Sequence, residues 1–339
     1  MIKIDGSYGE GGGQILRSSL ALSLITGKPF EINNIRANRR KPGLMRQHLT
    51  CVNAAVEIGG AKCSGNIIGS TSLEFNPGEI KSGEYEFKIG TAGSATLVLQ
   101  SVLPALLKAE GKSKIVLEGG THNPMAPPFD FLSKSFIPVL NKMGADIKVD
   151  LENYGFYPAG GGRFTVEITP FNSITPLELS ERGEIKGKRA ISIVANLPDK
   201  ICDRELNVIR KKLLFEGEDL IGQDVENSKG PGNILTVEIE SENITEVFTG
   251  FGIKGVKAEQ VANGVVKKVK RYLSKDVPVF EYLADQLLIP FAMAGSGSFR
   301  TVKPTNHTIT NIDIIQKFLD VTIETTEIDE DIFEIKVTR

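Results

Sequence analysis

The sequence predicts an α/β (α+β) fold in which one unit is repeated and a second, small α/β domain is inserted. Over about the first 178 residues, a short strand pattern, a glycine-rich turn and an amphipathic helix follow one another three times. The hydrophobic period changes from two to about 3.6 residues at each turn, which marks the passage from strand to helix. A different pattern occupies residues 179–276. We therefore expect a discontinuous domain of residues 1–178 and 277–339 and an inserted domain of residues 179–276.

Each of the three units has its own strand and helix. The predicted pairs are strand 2–5 with helix 14–25, strand 85–89 with helix 94–109, and strand 115–117 with helix 130–143. A glycine follows each helix, at Gly27, Gly111 and Gly144, which is typical of a left-handed C-terminal cap. Internal repetition of one α/β unit is the simplest explanation of this pattern.

The inserted segment and the C-terminal part have further elements. In the insert we expect strands at 190–194, 234–240 and 245–249 and charged helices at 203–215 and 258–273. After it we expect a helix at 280–294, a short helix at 312–318 and two C-terminal strands. On this interpretation His307 lies in a polar turn just before the short helix.

Composition limits the classes of protein to consider. The 339 residues are enough for about two domains. No run approaches the roughly 18 apolar residues of a membrane helix, and the N-terminus lacks the pattern of a secretory signal. We therefore expect a soluble cytoplasmic protein with no membrane partner. The net charge of −2 implies that any binding to nucleic acid uses a local basic patch.

The three cysteines, Cys51, Cys63 and Cys202, are an odd number without C-x-x-C spacing. This excludes a paired disulfide framework and argues against a cysteine zinc site. We expect buried or unreactive thiols.

The turn Gly9–Gly13 lies directly before a predicted helix. Free backbone N–H groups and the helix dipole favour an anion there, and the alternative is a purely structural turn. The turn is not a P-loop, and Gln14 stands where the dinucleotide-binding motif has its last glycine. Glu10 would repel a phosphate group unless a divalent cation bridged the two, a position that Mg²⁺ takes through one or two carboxylates.

A basic segment follows, with five cations in eleven residues around a Pro-Gly turn: Arg36, Arg39, Arg40, Lys41 and Arg46. The planar fork of arginine suits phosphate recognition. A solvated charged loop is the alternative.

Two further places carry chemistry-bearing residues. Asp285 and Gln286 lie near the start of a predicted apolar helix, where they are either solvated or read a purine or ribose edge. His307 is one of three histidines and stands in a hydroxyl-rich segment. A neutral imidazole with a pKa near its ordinary value of about 6.5 is a competent nucleophile toward phosphorus.

Several motifs in order resemble the RNA 3'-terminal phosphate cyclase family along nearly the whole chain. They are residues 5–17, 36–49, 89–94 with Gln100, 119–128, 155–162, 282–286, and His307 with Asn311. The resemblance implies repeated βαβαββ-type units carrying an inserted thioredoxin-like domain. Because the insert has no C-x-x-C, no redox activity follows.

The resemblance also implies an ATP-dependent ligase that releases AMP and pyrophosphate. A histidine takes AMP from ATP and passes it to an RNA 3'-phosphate, and the 2'-OH then closes a 2',3'-cyclic phosphate. The implied nucleophile is His307 and the implied carboxylate for Mg²⁺ or Mn²⁺ is Glu10. The implied ATP-binding residues are Gln100, Tyr282, Leu283, Ala284, Asp285 and Gln286, and those facing RNA or phosphate are Arg17, Arg36, Arg39 and Gln47.

Two alternatives remain beside the enzyme. One is the cyclase-like branch that acts in ribosome assembly and lacks the nucleophilic histidine. The other is an enolpyruvyl transferase, which shares the repeat architecture. The presence of His307 and of the segment 282–286 favours the cyclase. Homo-oligomeric assembly, the RNA substrate and the roles of His48 and His122 are left open.

Overall fold

Two complete repeat units occupy the N-terminal half of the computed structural model, which describes all residues, 1–339. The first comprises β1 (Ile2–Asp5), α1 (Gln14–Thr26), β2 (Phe30–Asn33), α2 (Arg46–Ile58), β3 (Lys62–Ser64) and β4 (Leu73–Asn76). The second comprises β5 (Glu84–Lys88), α3 (Ala95–Leu106), β6 (Ser113–Gly119), α4 (Phe129–Phe131), a π-helical turn (Leu132–Phe136), α5 (Ile137–Lys142), β7 (Asp146–Asn153) and β8 (Gly162–Thr169).

A third unit begins with β9 (Glu178–Leu179) and is interrupted at once by another set of elements. These are β10 (Ile185–Ala195), α6 (Lys200–Leu213), a 3₁₀ turn (Gly217–Asp219), β11 (Leu220–Asp224), β12 (Gly232–Ser241), β13 (Thr245–Phe251) and α7 (Ala258–Lys275). The unit then continues with α8 (Glu281–Ala294), β14 (Gly297–Thr301), α9 (Asn306–Phe318), β15 (Thr322–Asp329) and β16 (Ile332–Thr338).

The sheet topology confirms repeated βαβαββ-type units but corrects their number in the first 178 residues, which hold two units and not three. The predicted pairs 85–89 with 94–109 and 115–117 with 130–143 both belong to the second unit. The three unit sheets have the orders β1-β2-β4-β3, β5-β6-β8-β7 and β9-β14-β16-β15. In each, the first two strands pair in parallel and the remaining pairs are antiparallel. Each unit is therefore βαβαββ, and the third has the insert between its first strand and first helix.

The inserted elements form a fourth sheet, in the order β11-β10-β12-β13. Its apolar residues form a cluster with the inner faces of α6 and α7, including Leu206, Val237, Phe248 and Val265. We propose from this separate sheet and cluster that residues 179–276 form a domain of their own, except that Leu179 belongs to β9 of the third unit. The sequence-based prediction missed β11, an edge strand whose residues are mostly exposed and lack a hydrophobic alternation.

The start of one helix and the end of another differ from the sequence-based prediction. Helix α9 begins at Asn306, six residues earlier than expected, because the Thr305 hydroxyl caps it by accepting from the Thr308 N–H at 3.2 Å. His307 therefore lies in the first turn of a helix and not in a loop before it. Gly27 and Gly144 have the expected positive φ, but α3 ends at Leu106 and Gly111 has no positive φ.

Helix α1 is central to the largest apolar core. It is apolar on most sides and eleven of its thirteen residues are buried, as expected of a helix enclosed by others. It packs against α2, α3 and α9, and α8 packs against α9. This brings the N-terminal ends of α1 and α9 together. None of the helices combines the length and the apolar character that crossing a bilayer requires.

Candidate active site

His307 meets the first residue of α1 at the junction of two helix N-termini. Its Nδ1 lies 2.7 Å from Gln14 Oε1, and Gln14 Nε2 donates to Asp285 Oδ1 at 2.6 Å. These residues are far apart in the chain and come from the first and third units. About half of the His307 side chain is exposed, so the ring is accessible to a substrate.

Asp285 is the centre of a polar network. Its Oδ1 also accepts from Asn311 Nδ2 at 3.1 Å, and its Oδ2 accepts from Gln286 Nε2 at 3.0 Å. Asn311 accepts in turn from the Ser18 hydroxyl at 2.7 Å, and Gln100 donates to Gln286 Oε1. Because Asn311 follows His307 by four residues, one face of α9 carries both side chains.

Burial and charge set the protonation of this pair. Burial lowers the pKa of His307; the Asp285 charge opposes this shift, and the charges of Arg17 and Arg39 add to it. Burial raises the pKa of Asp285, against the effects of His307, its amide partners and Arg17. The lowered pKa keeps the imidazole of His307 neutral near pH 7, which is the form that can act as a nucleophile.

The glycine-rich turn places Glu10 beside His307. Gly9 has a φ of 55°, and a Cβ at this position would overlap the Thr310 hydroxyl of α9. The Glu10 N–H donates to that hydroxyl at 3.2 Å. Glu10 Oε1 pairs with Arg39 and lies 3.9 Å from His307 Nε2, while its Oε2 is buried without a hydrogen-bond partner.

Arg17 and His48 lie beside the glycine-rich turn. Arg17 projects from α1 into the site, and no hydrogen bond or ion pair engages its guanidinium. His48 is buried, and this burial together with Arg17, Arg36 and Arg39 lowers its pKa to about 3. His48 is therefore neutral, and the cations near the turn attract an anion.

The other residues that the resemblance implies make contacts outside the network around His307. Arg36 donates to the carbonyls of Lys41 and Gly43 at 2.8 and 2.7 Å, so its guanidinium holds its own loop. Gln47 Oε1 accepts from the Ser94 N–H at 2.7 Å. In α8, Leu283 and Ala284 are buried in the core, and the Tyr282 ring is exposed beneath Lys268 Nζ, 5.2 Å from the ring centre.

A cleft adjoins the network around His307, because Gln14 and Asp285 line it. Its polar end holds Gln14, Arg17, Ser18, Gln100, Asp285, Gln286 and Asn311. Its apolar wall, which the sequence pattern did not predict, comprises Leu103, Pro104, Leu107, Phe136, Leu140, Phe171, Ile289, Pro290 and Met293. An apolar cleft with a few convergent polar groups suits a flat organic ring attached to a polar tail.

The residues of the site could hold a metal ion only together with a phosphate ligand. The chain has no group of three or more His, Cys, Asp or Glu side chains that could hold a metal ion. The unpartnered Glu10 Oε2 is nevertheless a free carboxylate ligand at the cationic turn. One carboxylate together with phosphate oxygens is how Mg²⁺ is commonly bound, so the residues fit a cation that arrives with a phosphate ligand.

Comparison with known proteins shows the family of the chain. Residues 8–325 match the family model described as RNA 3'-terminal phosphate cyclase. A protein of that name from Koribacter versatilis (strain Ellin345) is 51% identical over 327 residues, which are 96% of this chain and 92% of the relative. Another from Ectopseudomonas mendocina (strain ymp) is 47% identical over 336 residues, 99% of this chain and 98% of the relative. The chain therefore belongs to the RNA 3'-terminal phosphate cyclase family.

Proposed function

We propose that the protein converts an RNA 3'-terminal phosphate to a 2',3'-cyclic phosphodiester in an ATP-dependent reaction, with His307 as a covalent AMP carrier. The proposal rests on the accessibility of His307 and on its protonation. Its ring is half-exposed beside a cleft, its pKa is lowered by burial, and its Nε2 has no hydrogen-bond partner. Such an imidazole is an available nucleophile at neutral pH.

The reaction has three displacements. His307 Nε2 attacks the α-phosphorus of ATP and pyrophosphate leaves. An oxygen of the RNA 3'-phosphate then attacks the same phosphorus and releases the histidine. The vicinal 2'-OH finally attacks the activated RNA phosphate and expels AMP. Adenylation supplies a good leaving group, and the fixed 2'-OH has the advantage of an intramolecular attack.

Residues of the cleft and of the glycine-rich turn beside it would supply the binding that this scheme requires. The apolar wall takes the adenine ring, and Gln100, Asp285 and Gln286 face the nucleoside from the polar end. Arg17 and Arg39 stabilise charge on the phosphates, as fixed cations do at a reacting phosphoryl group. Glu10 would hold Mg²⁺ or Mn²⁺, and such a cation supplies further charge neutralisation on the phosphate oxygens.

A non-catalytic role in ribosome assembly is the second candidate function. The branch with that role lacks the nucleophilic histidine, whereas this chain has His307 in contact with Gln14. The network around Asp285, which reaches His307 through Gln14, also favours the enzyme.

The test is incubation with ATP labelled at the α-phosphate, with Mg²⁺ or Mn²⁺, followed by denaturing electrophoresis. We expect an acid-labile, alkali-stable protein adduct that is absent in His307→Ala. His48→Ala is the matched control, because it also removes a neutral histidine near the turn, but one that is buried and therefore inaccessible to ATP. No adduct in the parent protein, or an adduct that survives in His307→Ala, contradicts the proposed function.

A further inference from the structure

We propose that Gln14 is a positioning residue whose side-chain amide holds His307 in the tautomer with its proton on Nδ1. The Nε2 of His307 then presents a lone pair. The inference deepens the proposed function and rests on it for its kinetic consequences. The tautomer itself is a property of the free protein.

The direction of each hydrogen bond follows from groups that can act in only one way. The main-chain carbonyl of Asp285 lies 3.2 Å from the Asn311 amide and can only accept, so the Asn311 NH₂ must face Asp285. That NH₂ also donates to Asp285 Oδ1 at 3.1 Å. Gln286 donates to Oδ2 from the other side. Amide donors on both oxygens are the surroundings of an ionised carboxylate, which only accepts.

The orientation of Gln14 is a consequence of this arrangement. Because Asp285 Oδ1 accepts, the atom of Gln14 that lies 2.6 Å away must be Nε2. The carbonyl Oε1 of Gln14 must then face His307 Nδ1, at 2.7 Å. A carbonyl cannot donate, so the ring nitrogen is the donor and carries the proton. Asp285 therefore fixes the tautomer of His307 through an intervening amide.

Helix α1 holds Gln14 rigidly in this role. Gln14 is buried and is the first residue of the helix. In the polar end of the cleft, Arg17 and Ser18 follow it at the spacing of one helical face. A histidine without a partner on Nδ1 exchanges between its two tautomers, and in one of them a proton blocks Nε2.

The same hydrogen bond serves both displacements at phosphorus. In the first, the Nε2 lone pair forms the N–P bond, and the electron pair of the broken P–O bond leaves with pyrophosphate. The proton stays on Nδ1, so the adduct carries an imidazolium ring that donates to Gln14 Oε1. In the second, an RNA phosphate oxygen bonds to phosphorus and the electron pair of the N–P bond returns to Nε2. The ring becomes neutral again without any proton transfer.

The test uses the full-length protein with ¹⁵N-labelled histidine and no ATP. Long-range proton–nitrogen correlations report which ring nitrogen carries the proton, and His307→Ala identifies the His307 signals among the three histidines. We expect Nδ1–H in the parent. Gln14→Met, which keeps the side-chain length but removes the amide, is expected to show a mixture of tautomers or Nε2–H.

Ser19→Ala is the matched control. It removes a buried hydroxyl of the same helix that donates to the Ile15 carbonyl at 2.7 Å and does not line the cleft. We expect this variant to keep the parent tautomer. For adduct formation, we expect Gln14→Met to lower the maximal rate by roughly 10- to 100-fold, the range seen when the partner that orients a metal-bound histidine is removed. The ATP concentration at half-maximal rate should stay near the parent value.

An Nε2–H ring in the parent overturns the inference, as does a Gln14→Met protein that keeps both the Nδ1–H signal and the parent rate. The parent measurement needs no variant and therefore does not depend on the folding of Gln14→Met. If the parent has the Nδ1–H ring but forms no adduct with ATP, the assignment of the tautomer holds and the proposed function fails.

Discussion

The chemistry that we assign to His307 comes from its neighbours and not from the residue type. Gln14 fixes one ring nitrogen at 2.7 Å, burial lowers the pKa, and Glu10 stands 3.9 Å from the other nitrogen. The other two histidines differ in these respects. His122 is fully buried against Asp130 and Thr121, and His48 is buried beneath arginines. Accessibility separates His307 from both.

Arg17 gives a prediction at the scale of a single residue. Its guanidinium lies in the cleft without a partner, and burial lowers its pKa. A desolvated charge without a partner costs folding free energy. We expect Arg17→Met to raise the free energy of unfolding by about 1 kcal/mol while it lowers adduct formation, a trade-off typical of active-site residues. Urea unfolding measures the first effect, and a loss of stability in Arg17→Met contradicts it.

The sequence could predict much of the polar end of the site. Arg17, Gln100, Asp285 and Gln286 line this end of the cleft, and Glu10 and His307 lie beside it. Within α8, the helical period turns Leu283 and Ala284 to the core and Asp285 and Gln286 to the cleft, and an ATP-binding role of the first two stays a prediction. The apolar wall could not be predicted, because it depends on packing between units.

At the scale of elements, the start of α9 decides where His307 stands. Thr305 caps the helix, and Thr310 one turn later accepts from the Glu10 N–H. Both contacts are made by side chains that are common in loops, which is why the polar composition indicated a turn. The helix is instead anchored at its N-terminus by the glycine-rich turn of the first unit.

Glu246 on β13 joins the insert to α8 and gives a pH prediction. Its Oε1 accepts from the Phe280 N–H at 2.5 Å, and burial raises the pKa of its carboxyl to about 8. The folded protein therefore keeps a proton that the unfolded chain releases near pH 4.5. The resulting stability is complete below that value and is lost as the pH rises toward about 8, by up to about 1.4 kcal/mol per pH unit.

We expect Glu246→Gln to flatten this pH dependence in urea unfolding between pH 5 and about 8. Glu240→Gln, an exposed residue on β12, is the control and should leave the slope as in the parent. Equal slopes in the parent and in Glu246→Gln would show that the carboxyl does not hold its proton in the folded state.

At the scale of the whole molecule, the site exists only because the repeat units pack together. The first unit supplies the glycine-rich turn and α1, the second supplies α3, and the third supplies α8 and α9. Local periodicity predicts the strand–helix pattern and the insert, but it counts three units in the first 178 residues, where the structure has two. The meeting of three units is a long-range property that no single segment of the sequence contains.

Charge distribution gives a prediction at this same scale. With a net charge of −2, the chain can attract RNA only through a local patch, and Arg39, Arg40, Lys41 and Arg46 are exposed in one segment. We expect Arg40→Gln to weaken RNA binding and to reduce the slope of log affinity against log salt by about 0.7, the value for one single-strand phosphate contact. Titrations at several salt concentrations measure both.

Arg204→Gln is the matched control, because it removes an equal charge that pairs with Glu259 at 2.6 Å in the insert. We expect it to keep the parent slope. Identical slopes in Arg40→Gln and the parent would show that the segment 36–46 is a solvated charged loop and does not bind RNA.

The most direct measurement is a chase of the labelled adduct. Protein that carries AMP labelled at phosphorus is freed of ATP and mixed in one turnover with an RNA that ends in a 3'-phosphate. The proposed function predicts that the label leaves the protein and appears as AMP, and that the RNA gains a 2',3'-cyclic end resistant to phosphatase. Label that stays on the protein, or that is discharged equally by an RNA with a 3'-OH end, would contradict His307 as the carrier of AMP in this reaction.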